Sequence, residues 1–324
     1  MARNERRITL TYLCIGSGEF SMAIASLLSN KKENHVIIWT HDLKFKSNGY
    51  KKYSFIKKEK IKIMTDLSQA VLLSDVLFIL VASPFIKSIT EQLKKIDISN
   101  KPILIGTKGI LDSDPIFLSE YIKTSLKTDL IGVFGGPNLA KDLQDRNPSS
   151  MTIASKKKSI IKTFVQALPN YINITTTNEP ISVELPNAMK NIYAIGAGIF
   201  KNKSQSTNLA YLGMAYEEMV NSIKTLYPLD ADSLPVSMHA DFFLTGTMQE
   251  SRNLHLGKLI GQKKSIQTYL KTTTVEGYNS LKIIYDLFQK KHIKAPILEA
   301  LEKIIYHNQD YLLLEDLLFT RKED

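Results

Sequence analysis

The feature that most restricts this chain lies near its start. Ile8-Thr9-Leu10-Thr11-Tyr12-Leu13-Cys14-Ile15 is a β-rich run that ends in Gly16-Ser17-Gly18-Glu19-Phe20-Ser21. A helical pattern follows, with Met22, Ala23, Ile24, Ala25, Leu27 and Leu28, and then a second short strand, His35-Val36-Ile37-Ile38-Trp39. Strand, glycine turn, helix, strand is a βαβ unit, and parallel strands joined this way belong in a sheet covered on both faces. The pattern continues down the chain. Val76 to Val81 and Pro102 to Gly106 read as buried parallel strands, Leu130 to Phe134 as another, and Thr152-Ile153-Ala154 as one more. With helical segments between them, these strands predict a doubly wound α/β domain of the Rossmann type.

From about Ile181 the period changes. Helix-spaced apolar residues dominate residues 184–200, 208–225, 251–261, 275–290 and 296–306, and strand signals largely vanish. The expected division is an α/β dinucleotide-binding domain over 1–180 and an all-helical substrate-binding and catalytic domain over 181–324, with the boundary near Thr176 to Ile181. A length of 324 residues suits two domains.

Composition bounds the function classes. The single cysteine, Cys14, excludes an intrachain disulfide and any multi-cysteine metal site. Net charge is +10, but the lysines fall in short groups such as Lys51-Lys52, Lys57-Lys58, Lys156-Lys157-Lys158 and Lys263-Lys264. No long basic arm or interleaved aromatic motif accompanies them, so the expectation is a solvated surface biased toward phosphorylated ligands rather than a nucleic-acid binder. The apolar runs are too short for a signal or a membrane span, which points to a cytoplasmic protein.

Several short motifs carry chemistry. Gly16 and Gly18 match the first two glycines of the dinucleotide fingerprint, where the backbone approaches a pyrophosphate at a helix N-terminus. Ser21 stands at the third, and Glu19 brings a carboxylate beside the expected phosphates. The second strand ends Trp39-Thr40-His41-Asp42 without the usual ribose-binding acid; Asp42 comes late and His41 tolerates a 2′-phosphate, so NAD and NADP both stay open. Thr107-Lys108-Gly109 and Gly135-Gly136-Pro137-Asn138-Leu139-Ala140 each follow a strand, where α/β sheets present ligands. Ser251-Arg252-Asn253 at a helix start suits a phosphomonoester, and equally a plain N-cap beside a solvated arginine. Finally, Glu184 to Gly198 sets Lys190-Asn191 among Ala, Ile and Met. A buried lysine is costly unless paired, and desolvation pulls its pKa toward the range of a general acid/base. A surface lysine on an amphipathic helix fits that segment alone as well.

Taken in order, these segments resemble the bacterial NAD(P)-dependent glycerol-3-phosphate dehydrogenases over nearly the whole chain. Gly16-Ser17-Gly18, Thr107-Lys108-Gly109, Gly136 to Lys141, Glu184 to Asn191, Asn208 to Met219, Asp241 to Thr245, Ser251-Arg252-Asn253, Val275-Glu276-Gly277-Tyr278 and Ala295-Pro296-Ile297 carry the resemblance. It implies interconversion of dihydroxyacetone phosphate and sn-glycerol 3-phosphate, supplying phospholipid synthesis. Lys190 would donate the proton to the carbonyl and accept it in reverse, and Lys108 would contact substrate and cofactor and help polarise the carbonyl. Asp241 and Thr245 would orient substrate and lysine, and Arg252 and Asn253 would hold the phosphate. Arg252 and Glu276 would also face the nicotinamide cofactor. The same resemblance places Gly16, Gly18, Glu19, Phe20, His41 and Ala140 with the cofactor, and Gly136, Asn138, Asn191 and Ser251 with the substrate. No metal is implied, and the candidate assembly is a homodimer.

The chain also departs from the family pattern. Phe20 replaces a tryptophan, Pro186-Asn187 a Gly-Gly pair and Ala240 a glycine, while Gly246 stands where cysteine is common. None of these removes a proposed catalytic side chain. The competing readings are a related dehydrogenase of another hydroxy acid and a catalytically degenerate nucleotide-binding paralogue, the latter favoured by Glu19 and Ser21.

Overall fold

The computed structural model describes residues 9–53, 61–114, 116–227, 234–248 and 251–319. The predicted first-strand residue Ile8 and the pair Lys57-Lys58 lie outside them. The chain divides into two compact units, Met1–Val183 and Glu184–Asp324.

The first unit holds one eight-stranded sheet: β1 (Thr11–Ile15), β2 (His35–Trp39), β3 (Ile61–Met64), β4 (Val76–Ile79), β5 (Ile103–Ile105), β6 (Ile131–Gly135), β7 (Ser149–Ala154) and β8 (Ile172–Thr177), in the order β3-β2-β1-β4-β5-β6-β7-β8. Its helices are α1 (Glu19–Ser29), α2 (Leu43–Lys52), α3 (Leu67–Leu72), α4 (Ile86–Leu93), α5 (Leu118–Leu126), α6 (Ala140–Gln144) and α7 (Lys158–Ala167). Central strands such as Val76-Leu77-Phe78-Ile79 are buried along their whole length, as a sheet covered on both faces requires. Strand order reverses direction between β1 and β4, and the Gly16 turn emerges at that switch point. Cys14 is buried and free, and burial pushes its thiol well up, which keeps it unreactive.

Two details differ from the sequence expectation. The strand over Thr152-Ile153-Ala154 starts at Ser149 and runs antiparallel to β6, leaving the otherwise parallel run. The connecting helix α6 has only 5 residues, so the chain reverses beside β6 instead of crossing back over the sheet. Strands β3 and β8 gave no clear signal, because they are the two edges of the sheet and β8 (INITTT) is half exposed and polar.

The second unit is helical in its described residues: α8 (Ile181–Ile199, whose first turn belongs to the preceding unit), α9 (Gln205–Leu226), α10 (Val236–Thr247), α11 (Arg252–Gly261), α12 (Gln267–Thr272), α13 (Glu276–Lys290), α14 (Pro296–Tyr306) and α15 (Leu312–Phe319). Helix α8 is buried from Ser182 to its end and acts as the axis of this unit. Its neighbours approach it closely through glycines. A Cβ on Gly257 of α11 would stand 1.8 Å from the Ile195 carbonyl oxygen, and one on Gly277 of α13 would stand 2.2 Å from that of Asn191. Helix α10 was not anticipated. Its sequence, VSMHADFFLTGT, is poor in strong helix formers, and packing of Phe242 against Tyr193 and Tyr216 holds it. Among the described residues no helix is long and apolar enough to cross a membrane.

Candidate active site

In the first unit the sheet's switch point opens a cleft of about 400 Å³, lined by Gly16, Ser17, Gly18, Trp39, Thr40 and His41 from one side and by residues 80–92 from the other. Gly16 has φ +128°, and a Cβ there would lie 3.1 Å from the Leu80 carbonyl oxygen, so the turn itself demands glycine. Gly18 is different. It is the exposed N-cap of α1, and a Cβ there would meet no protein atom within 4 Å. Open space over a helix N-terminus is what a pyrophosphate needs, and the cleft therefore fits a dinucleotide.

The two unusual residues of the turn have local explanations. Ser21 is fully buried and its hydroxyl donates to the Gly16 carbonyl at 2.7 Å, so it braces the turn that a third glycine would otherwise pack against. Glu19 is solvent-exposed. At the end of β2, Asp42 caps α2 by accepting from the Lys44 amide at 2.8 Å, while the Thr40 hydroxyl lies 2.8 Å from that of Ser17. The acid at this position is thus committed to a helix cap, and the exposed His41 is the residue that lines the cleft.

Other expected residues of this unit cluster nearby in the fold. Phe20 stacks on Phe134 with ring centroids 6.3 Å apart, and the Lys108 ammonium sits 5.7 Å above the Phe20 ring. Thr107 is buried and donates to the Val81 carbonyl at 2.8 Å, which fixes the loop presenting Lys108. Gly136 has φ +146° and leaves no room for a Cβ against the Ser150 carbonyl. Asn138 is buried; its Oδ1 accepts from Ser149 at 2.9 Å, and its Nδ2 has no acceptor among the described residues. Ala140 opens α6, with Leu139 as its N-cap.

In the second unit Lys190 and Asp241 form an ion pair with both side chains only 3% exposed. The sequence placed them 51 residues apart, and helices α8 and α10 bring them into contact. Asn191, the next residue on α8, faces another way. Its Nδ2 donates to Glu276 of α13 at 3.1 Å, and its Oδ1 accepts from Asn253 of α11 at 3.0 Å. Asn253 in turn accepts from the Gly277 amide at 2.9 Å. Lys190 and Asn191 therefore join two polar clusters on adjacent faces of one helix. Thr245 spends its hydroxyl on the Asp241 carbonyl at 2.7 Å, and Ser251 is the N-cap of α11. Arg252, first residue of α11, is exposed. No group of three or more His, Cys, Asp or Glu that could hold a metal occurs among the described residues.

Sequence reasoning passed over one group behind this site. Glu218 of α9 accepts the Tyr193 hydroxyl at 2.9 Å and the amides of Ile297 and Leu298 at 2.6 and 2.9 Å, tying α8, α9 and α14 together. Nothing in an amphipathic-helix pattern distinguishes such a carboxylate from its exposed neighbour Glu217. Burial pushes the Glu218 carboxyl above the ordinary range, although its three donors pull the other way. A carboxyl with a raised folded-state pKa holds its proton more tightly when folded. That contribution to stability is complete below the ordinary carboxylate range and is lost as pH rises through the raised value. The melting-temperature difference between Glu218→Gln and the parent protein should therefore move in favour of the Gln protein as pH rises from the ordinary carboxylate range through the raised value. A difference that stays flat would contradict this.

Comparison with known proteins agrees with the geometry. Residues 12–161 match the family model for the NAD-dependent glycerol-3-phosphate dehydrogenase N-terminus, and residues 179–313 match that for its C-terminus. The chain belongs to this family. It is thus an NAD(P)-dependent oxidoreductase by family. It is 27% identical over 319 residues to the glycerol-3-phosphate dehydrogenase (NAD(P)+) of Staphylococcus epidermidis, covering 94% of each chain. It is 29% identical over 307 residues to the protein of the same name from Thermoanaerobacter sp., covering 91% of this chain and 92% of the other. Among solved structures, glycerol-3-phosphate dehydrogenase from Coxiella burnetii superposes with a TM-score of 0.86 at 22% identity, over 96% of this chain and 99% of that one, a likeness of fold.

Proposed function

We propose that this member of the family interconverts dihydroxyacetone phosphate and sn-glycerol 3-phosphate, with Lys190 as the general acid/base. The observation that carries the reading is the buried pair of Lys190, on the axial helix of the helical unit, with Asp241 of α10. A lysine taken out of water is retained at such cost where its proton is used. The functional division follows: the α/β region, residues 1–180, holds the dinucleotide and the helical region, 181–324, holds the substrate.

When bound, the nicotinamide cofactor would supply the hydride in the reductive direction. Lys190 gives its proton to the oxygen on which charge develops, and Asp241 keeps the ammonium charged until then. Lys108, seated over Phe20, helps polarise that oxygen. Arg252, with the free amides at the start of α11, grips the phosphate, and the grip orients the remote carbonyl. Asn253 braces Asn191, and Asn191 holds Glu276, the residue that the family resemblance assigns to the cofactor. The Ser21 hydroxyl bound to the Gly16 carbonyl and the solvent exposure of Glu19 are both compatible with a bound dinucleotide and support this reading over a degenerate paralogue. The product is the backbone of phospholipids, made by a cytoplasmic enzyme.

The direct test is oxidation of NADH and of NADPH with dihydroxyacetone phosphate, followed by absorbance. Substrate-dependent turnover supports the reading, and its absence with both cofactors in a folded protein overturns it. Arg252→Ala should raise the apparent KM for dihydroxyacetone phosphate by roughly ten- to a hundredfold with a smaller change in kcat. An unchanged KM would place the phosphate elsewhere.

A further inference from the structure

Helix α8 carries one polar group that the site as described leaves unused. Asn187 lies three residues before Lys190 and four before Asn191, positions that share one face of a helix. It is 2% exposed, and its main-chain carbonyl accepts from Asn191 at 3.2 Å. Its side-chain oxygen Oδ1, however, is buried with no hydrogen-bond donor among the described residues. Buried acceptors are almost always satisfied, because an unmet one gives up its hydration without return. An orphan acceptor on the face that carries the proposed general acid calls for a donor from the ligand.

The chemistry of the substrate names that donor. Dihydroxyacetone phosphate offers a carbonyl and a phosphate dianion, both acceptors, and a single hydrogen-bond donor, its free primary hydroxyl. The carbonyl belongs with the Lys190 ammonium, which leaves the hydroxyl as the one group that an amide oxygen beside it can take. We infer that Asn187 Oδ1 accepts the hydrogen bond of the substrate's free primary hydroxyl and thereby selects hydroxymethyl ketone phosphates over their methyl counterparts. Asn187 is then a specificity-determining residue that touches substrate, and the inference rests on the function proposed above.

The experiment compares kcat/KM for dihydroxyacetone phosphate with that for the analogue in which the free hydroxyl is replaced by hydrogen. The parent protein should prefer the hydroxylated ketone by about tenfold or more, since a site built for a hydroxyl is left with an unpaired group by its analogue. In Asn187→Ala and Asn187→Leu the ratio should fall toward one, chiefly through loss of activity on dihydroxyacetone phosphate. The ligand-free melting temperature of the Leu variant should not drop, because removing an orphan acceptor in favour of an apolar group relieves desolvation. A parent protein without preference, or variants that keep the ratio, would overturn the assignment. So would equal losses on both ketones, the mark of a structural role. Absence of any turnover of dihydroxyacetone phosphate by the parent protein would overturn the proposed function itself, and this outcome is distinct from turnover without discrimination.

Discussion

Replacing Lys190 with methionine should lower kcat by about a hundred- to ten-thousandfold while leaving NAD(P)H binding nearly unchanged. General acid catalysis contributes about that factor, and methionine keeps the apolar length of the lysine stem while removing the proton and the charge. The cofactor cleft is built by residues 16–18, 39–41 and 80–92 of the other unit, so its affinity should survive. Stopped-flow turnover and a fluorescence titration of NADPH separate the two properties. If both fall together, Lys190 holds the fold or the cofactor, and its catalytic role is lost.

The second large effect concerns stability. Asp241→Ala takes the carboxylate from an ammonium that is 3% exposed, and breaking a buried pair from one side costs about 3–5 kcal/mol. Unfolding followed by calorimetry should show a drop on the order of 10 °C. The double replacement Lys190→Met with Asp241→Ala should regain much of the stability, since no lone charge is then buried, yet none of the activity. Recovery of stability without recovery of turnover would separate the pair's chemical role from its packing. A double variant no more stable than Asp241→Ala would show that the loss came from a cavity rather than from an uncompensated charge.

These expectations show how far the sequence could be read. The Gly16 turn, the strand after it and the helix between them were legible, because local spacing and apolar period encode a βαβ unit directly. Lys190 was legible as a polar residue in an apolar helix. Helix α10 was not, because its own propensities are weak and aromatic packing decides its state. Asp42 illustrates a finer limit. As sequence it was a late candidate for the ribose, and the turn in which Thr40 accepts its amide sets its carboxylate on the α2 N-terminus instead. Ser21 illustrates the converse, a residue off the motif whose hydroxyl supplies a bond to the turn that glycine cannot make.

What the sequence determined by itself is the opening βαβ unit, the dinucleotide turn, the change from α/β to helical pattern and the identity of the titratable side chains, all of which are written in neighbouring residues. The pairing of Lys190 with Asp241, the chain of contacts from Asn191 through Asn253 to Gly277, the tether of Glu218 and the orphaned oxygen of Asn187 were decided only in three dimensions. Each depends on how separate helices pack; for the contacts through Asn253 and Gly277 the close approach of α11 and α13 rests on the glycines at 257 and 277, where one added carbon would strike the backbone of α8.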